Sequence, residues 1–216
     1  VIHVVGDSHV MLFTGQKLPY LIQPPVDFAP NGYDLIEGYV TYFCVLLRAY
    51  RFIDNGYVWQ LLEHIPKGST VILVVGEIDC RGPILNEANR TGKTIYETTD
   101  VCAERYLTGV RRVKEMGLNP VIFAPYPQRM LFEIKHDWVK LPEYLSPAQW
   151  CLRKKSAIYH FESVLRLSEF PVVSINEWFD DYDVESSDDY WADAIHLSER
   201  AWPFIENEIS RVLPLP

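Results

Sequence analysis

Two rhythms of apolar residues alternate along the chain. Val1-Ile2-His3-Val4-Val5 is rich in β-branched residues and stops at Gly6-Asp7-Ser8, while Ser69-Thr70-Val71-Ile72-Leu73-Val74-Val75 stops at Gly76. Segments apolar on consecutive positions are buried on both faces, as the central strands of a parallel sheet are. Residues 33–36, 120–124 and 171–175 add three shorter predicted strands. Between these segments the period changes to that of a helix. Residues 40–51 and 57–65 read as helical, and a further helix, capped by Thr99 or Asp100, runs to Met116 with Tyr106, Val110 and Val113 on one face. Ser146-Pro147-Ala148-Gln149 is a capping box with proline at the first helical position, and Trp150, Ile158, Phe161 and Leu165 make the buried stripe behind it. Ser198 and Glu199 open a final helix with Trp202, Ile205, Ile209 and Val212 inward.

The remaining segments are punctuation. A helix is expected to start within residues 9–13, and the prolines at positions 19, 24, 25 and 30 hold the next stretch in a loop, a candidate pocket wall. Residues 82–94 read as a polar loop over the site and residues 180–189 as a solvated acidic face. Residues 128–144 follow no clear period, and Trp138 within them fits a core position or a substrate platform. Five strands alternating with helices predict the α/β class: a three-layer α/β/α domain with a five-stranded parallel sheet, spanning residues 1–216 as one domain. In such sheets ligands bind outside the carboxyl ends of the strands.

The composition narrows the partners. With 216 residues, 48% hydrophobic and 23% charged, the chain is long and apolar enough to fold around a substantial core without disulfides or metal. A net charge of −9 without a basic stripe argues against nucleic acid. No apolar span reaches the roughly 20 residues that a membrane crossing needs. Beginning at Val1 without methionine, the chain reads as a processed form or an excised domain of a larger multidomain protein. Cys44, Cys80, Cys102 and Cys151 are scattered, with no metal-ligand spacing; they are expected to be reduced, mostly buried thiols, which points to a reducing, cytoplasmic compartment. Asn89-Arg90-Thr91 fits a glycosylation sequon that matters only in a secreted chain.

The chemistry sits at the two ends. A strand that stops at Gly6-Asp7-Ser8 delivers the Ser8 hydroxyl to the carboxyl edge of the sheet, with Asp7 and Ser8 placed to bond nearby backbone N–H groups. A hydroxyl is a weak nucleophile without a base. Asp193-Ala194-Ile195-His196 supplies an imidazole and, three residues before it, a carboxylate to orient the ring. His3, inside the first strand, reads as a satisfied core histidine, and His64, His136 and His160 carry no motif.

With its serine block first and Asp-x-x-His last, the chain resembles the SGNH hydrolases, also called GDSL esterases; the family's leucine after the serine is His9 here. The resemblance covers nearly the whole chain and implies a flavodoxin-like SGNH fold and a Ser8, His196 and Asp193 triad without a cofactor or metal. It also implies an oxyanion glycine after the second strand, for which Gly38 is the best match and Gly32 the next, and a Gly-x-Asn-Asp block whose asparagine is a further donor. That block falls on Gly76-Glu77-Ile78-Asp79-Cys80-Arg81, so an isoleucine stands where the asparagine is expected. Together with Gly38-Tyr39-Val40-Thr41, this stretch looks like a variant branch of the family. The Arg81 guanidinium could replace the missing donor or clamp an anionic group of the substrate, with Asp7, Glu77 and Thr41 as further substrate-binding candidates. Alternatively Glu77, Asp79 and Arg81 form a structural ion-pair network over the sheet edge.

The function expected is removal of a small acyl group, acetyl above all, from a carbohydrate or related ester through an acyl-enzyme on Ser8. The same apparatus would serve as an O-acetyltransferase if a sugar hydroxyl replaced water. Two rivals use the same residues differently: a non-catalytic glycan-binding module, motivated by Ile78, and a metal-dependent hydrolase with Asp7, His9, Asp193 and His196 as ligands.

Overall fold

The computed structural model describes residues 1–14, 36–44, 47–127, 146–182, 188–191 and 196–213. Five strands, β1 (Ile2–Gly6), β2 (Tyr39–Phe43), β3 (Thr70–Val74), β4 (Asn119–Phe123) and β5 (Val172–Val173), form one sheet in the order β2-β1-β3-β4-β5. Every pairing is parallel. The helices are α1 (Gly56–Glu63), α2 (Glu77–Arg81), α3 (Pro83–Thr91), α4 (Ile95–Glu115), α5 (Pro147–Arg166), α6 (Asn176–Tyr182) and α7 (Trp202–Val212).

The consecutive apolar residues of the central strands do what burial on two faces requires. Val71 and Leu73 point into a core shared with Phe52, Tyr106, Val110 and Phe161, whereas Ile72 and Val74 point into a second core with Phe13, Phe123, Trp178 and Ile205. Helices therefore cover both faces, and the sheet is the middle of three layers. This is the α/β architecture expected from the alternation of the two periods.

Three segments depart from the sequence expectation. The second strand of the described sheet is Tyr39–Phe43, a stretch expected to begin a helix, while residues 33–35 of the strand expected there lie outside the described residues. Tyr39, Thr41 and Tyr42 are buried and Val40 and Phe43 half-buried, the pattern of a strand lying against β1. Residues 83–91, expected as loop, form α3 with Pro83 at its first turn. The long helix α4 begins at Ile95, a turn earlier than Thr99 or Asp100 would cap it, because Thr94 accepts from the Glu97 N–H while the Glu97 side chain accepts from Thr94. The Ser146 capping box starts α5 as expected, with Trp150, Ile158, Phe161 and Leu165 all buried. Ser198 opens a short 3-10 turn that leads into α7, where Ile205 and Ile209 are buried and Trp202 and Val212 pack at the edge of the core. His3 is a core histidine, its Nδ1 3.1 Å from the Tyr42 hydroxyl. None of the four cysteines is in a disulfide, and Cys44, Cys80 and Cys102 are buried. Among the described residues no helix is long and apolar enough to cross a membrane. The loop expected at 19–30 and Trp138 lie outside the described residues, as do most of the side chains of the acidic stretch.

Gly6 ends β1 where it is pressed against β3. A Cβ there would overlap the Val74 carbonyl and stand 2.8 Å from the Val10 side chain. Gly6→Ala is therefore expected to destabilise at or above the upper end of the ~1–3 kcal/mol typical of overpacking, read as a lowered urea midpoint.

Candidate active site

The turn after β1 opens into a 3-10 segment, Ser8–Thr14, which begins as the Asp7 carboxylate accepts the His9 backbone N–H at 2.9 Å. Ser8, in the first position, is half-buried. At the other end of the chain, an antiparallel bridge joins Trp191 and Leu197, both buried, and the Ser198 N–H donates to the Tyr190 carbonyl at 2.8 Å. Ser198 Oγ also donates to the Asp189 carbonyl at 3.0 Å. His196 directly precedes Leu197 of that bridge. Its Nε2 lies 2.8 Å from Ser8 Oγ, joining residues 188 positions apart in sequence. Asp193 lies outside the described residues.

Behind this pair runs a chain of buried charges. His9 Nδ1 is 2.8 Å from Asp7 Oδ1 and its Nε2 is 3.5 Å from Glu77 Oε2, and Arg81 Nη2 stands 3.7 Å from the same Glu77 oxygen. All four side chains are less than a tenth exposed. Glu77 arrives at this position because Gly76, at φ 123°, turns the chain sharply from β3 into α2. Only glycine adopts that conformation without strain. Burial alone would lower the His9 pKa, but the Asp7 and Glu77 carboxylates outweigh it and the pKa is raised. Protonation of His9, which both carboxylates favour, makes two carboxylates and two cations alternate. The His9 ring packs 4.9 Å from the His196 ring and edge-on to Tyr126 at 5.4 Å, so this chain of charges abuts the ring that faces Ser8.

The expected oxyanion glycine is a correction. Gly38 precedes β2 rather than following it, and its carbonyl accepts from the Ile2 N–H at 2.8 Å. It therefore lies at the amino end of the strands, opposite the edge that carries Ser8. Gly32 is outside the described residues. Thr41 is paired with Val4 in mid-sheet and fully buried, so it does not face a substrate at the strand ends. Ile78 stands buried after β3 and offers no donor. Arg81 is buried with its Nη2 3.7 Å from Glu77, which fits the Glu77–Arg81 part of the ion-pair alternative.

Asp79 turns away from Ser8. Its carboxylate accepts the backbone N–H of Ala49 at 2.6 Å and of Tyr50 at 3.4 Å, tying α2 to the 3-10 segment Ala49–Asp54. Burial pushes its pKa from 3.8 up to about 6, against the two N–H bonds and the Arg48 charge that pull it down. A folded pKa above the unfolded one means that the folded chain binds the proton more tightly. The Asp79 contribution is thus fully present below the unfolded value and lost as pH rises through about 6. Asp79→Asn is expected to flatten the pH dependence of the urea midpoint between about pH 4 and 6; an unchanged slope would show that the carboxyl titrates alike in both states.

In the sequence His9 stood out as a departure from leucine and as a candidate metal ligand, not as the hub of a buried chain of charges. The signal for it was the Asp7-x-His9 spacing together with a glutamate one residue after the strand-ending Gly76. Among the described residues no group of three or more His, Cys, Asp or Glu side chains is arranged to hold a metal ion, and His9 is held by carboxylates of the chain itself.

No protein-family model and no curated protein sequence matches the chain. Solved structures do match over nearly its full length. A lipase from a goat rumen metagenome superposes with a TM-score of 0.58 at 11% identity, over 98% of this chain and 96% of that one. A member of the lipolytic G-D-S-L family from Veillonella parvula gives 0.52 at 14%, over 100% and 98%. The acetyl xylan esterase AlAXEase gives 0.53 at 13%, over 99% and 100%. Identities this low speak to architecture, and with the strand order and the sheet edge that carries Ser8 they lead to one conclusion: this chain has the fold of the SGNH/GDSL hydrolases.

Proposed function

We propose that the protein is a serine esterase that removes a small acyl group, acetyl foremost, from a carbohydrate or related ester. The observation that carries this reading is the 2.8 Å hydrogen bond between His196 Nε2 and Ser8 Oγ. That is the reach a general base needs to take the hydroxyl proton as Oγ attacks the ester carbonyl. His196 then returns the proton to the departing alcohol, and water, activated by the same imidazole, releases the acid from Ser8. Asp193 is assigned the orienting of the His196 ring. The Ser8 backbone N–H is assigned to the oxyanion, with no side-chain donor at Ile78. Losing one such donor typically costs about 10²–10³ in turnover, so a slow esterase is expected. The acetyl preference is supported by the fold likeness to an acetyl xylan esterase.

The test is labelling with a fluorophosphonate alongside turnover of p-nitrophenyl acetate. The unmutated chain should label and turn over, and Ser8→Ala and His196→Ala should do neither. Absence of both signals from the unmutated chain would overturn the proposal in favour of a binding module on this fold. If an added sugar diverts the acetyl group from water, the same chemistry is a transferase.

A further inference from the structure

We propose that a second cleft, on the α4 side of the sheet, is a binding site for a small anionic ligand bearing phosphate or carboxylate groups. Two walls make it: the 3-10 segment Ala49–Asp54 with Arg48 before it, and the corner between α3 and α4. Its volume, about 410 Å³, lies within the range of small-molecule sites. Neither Ser8 nor His196 lines it, and α2 serves both places, with Glu77 reaching His9 and Asp79 reaching the cleft. The proposal does not rest on ester chemistry at Ser8.

The chain as a whole carries a charge of −9, yet each wall of this cleft presents two cations, Arg48 and Arg51 on one side and Arg90 and Lys93 on the other. Two carboxylates line it, and both are already engaged. Asp79 accepts the backbone N–H groups of Ala49 and Tyr50 and also feels the Arg48 charge. Glu87 is held in a two-point pair by Arg90, at 2.8 Å to Nε and 2.6 Å to Nη2. Arg51 reaches Asp54 only at 3.9 Å, with both groups largely exposed, and a pair of that kind is worth little. Among the described residues, Arg48 and Lys93 make no ion pair. The lining carries four cations against two carboxylates, and a bound anion relieves the remaining repulsion among the cations. A guanidinium at the rim offers a planar fork matched to carboxylate or phosphate oxygens. Thr98, in the first turn of the 21-residue helix α4, also lines the cleft, so the positive end of that helix dipole adds to the field. Ile84 and Val101 give the site an apolar floor and Tyr50 a partly exposed ring, which suits a ligand with a compact organic body.

Calorimetric titration of the whole chain with pyrophosphate and, separately, with citrate tests this. One saturable site is expected for at least one of them, and the better probe tells phosphate from carboxylate chemistry. Arg48→Gln combined with Lys93→Gln should weaken binding about tenfold or more. Glu87→Gln should do the reverse and tighten it several-fold, because it frees Arg90 and removes a negative charge; misfolding does not produce a gain. Arg111→Gln, whose parent residue pairs with Glu169 away from the cleft, should leave binding unchanged. Absence of saturable binding to either probe, equal weakening by Arg111→Gln, or no tightening by Glu87→Gln would overturn the proposal. Fluorophosphonate labelling of the same variants reads the Ser8 site separately and should be unaffected.

Discussion

Ser8→Ala and His196→Ala are each expected to lower ester turnover by about 10⁴-fold or more, and the double variant to lose no more than either alone. The reason is that the two groups act as one device. A serine hydroxyl with no base 2.8 Å away is left as a weak nucleophile, and an imidazole with no hydroxyl to deprotonate has only water to activate. Removing either therefore removes the whole of the shared contribution, and the second removal finds nothing left to take. The residual rate belongs to binding and to the Ser8 backbone N–H, which alanine retains. Single-turnover rates with p-nitrophenyl acetate would check this, and additive losses would mean that Ser8 and His196 serve separate steps. Asp193→Ala should cost less, since the bridge between Trp191 and Leu197 next to His196 still holds the ring near Ser8.

Much of this arrangement could be read from the chain because its two halves are local. A β-branched strand ending in Gly6-Asp7-Ser8 and an Asp-x-x-His just ahead of the last helix each announce themselves, and the alternation of periods implies that a parallel sheet brings them to one edge. What failed was register. Residues 39–43 pack against β1 on one side only, so their apolar pattern is weak, and the expected helix there moved the second strand ahead of Gly38. Shifting one strand by a few residues carried the glycine from one end of the sheet to the other. The start of α4 was legible and misread: Thr94 and Glu97 hold capping-box spacing, but they sit in a polar run that looks like loop. The direction of buried charged side chains was not legible at all. Glu77 and Asp79 are two positions apart on a five-residue helix, and nothing local says that one meets His9 and the other the backbone at Ala49.

Arg81→Met should be the most destabilising polar-to-apolar change among the buried charges, at about 3–5 kcal/mol, the range for leaving a partner charge buried and uncompensated. Methionine replaces the aliphatic stem of arginine, so packing along α2 is largely kept and the main loss is electrostatic. Glu77 would then face Asp7 across His9 without the guanidinium that stands beside it in the intact chain. Glu77→Gln combined with Arg81→Met should restore most of the loss, because neutralising both ends of a buried pair removes the desolvation cost along with the attraction. Urea midpoints of the two single variants and the double variant complete the cycle. If the double variant is as unstable as the sum of the singles, guanidinium and carboxylate are not coupled and the 3.7 Å contact is incidental. The buried Lys154 ammonium, which also feels the Glu77 charge, defines the other outcome: a cost for Arg81→Met below about 1 kcal/mol would mean that Lys154, rather than Arg81, balances the carboxylate that holds His9 beside His196.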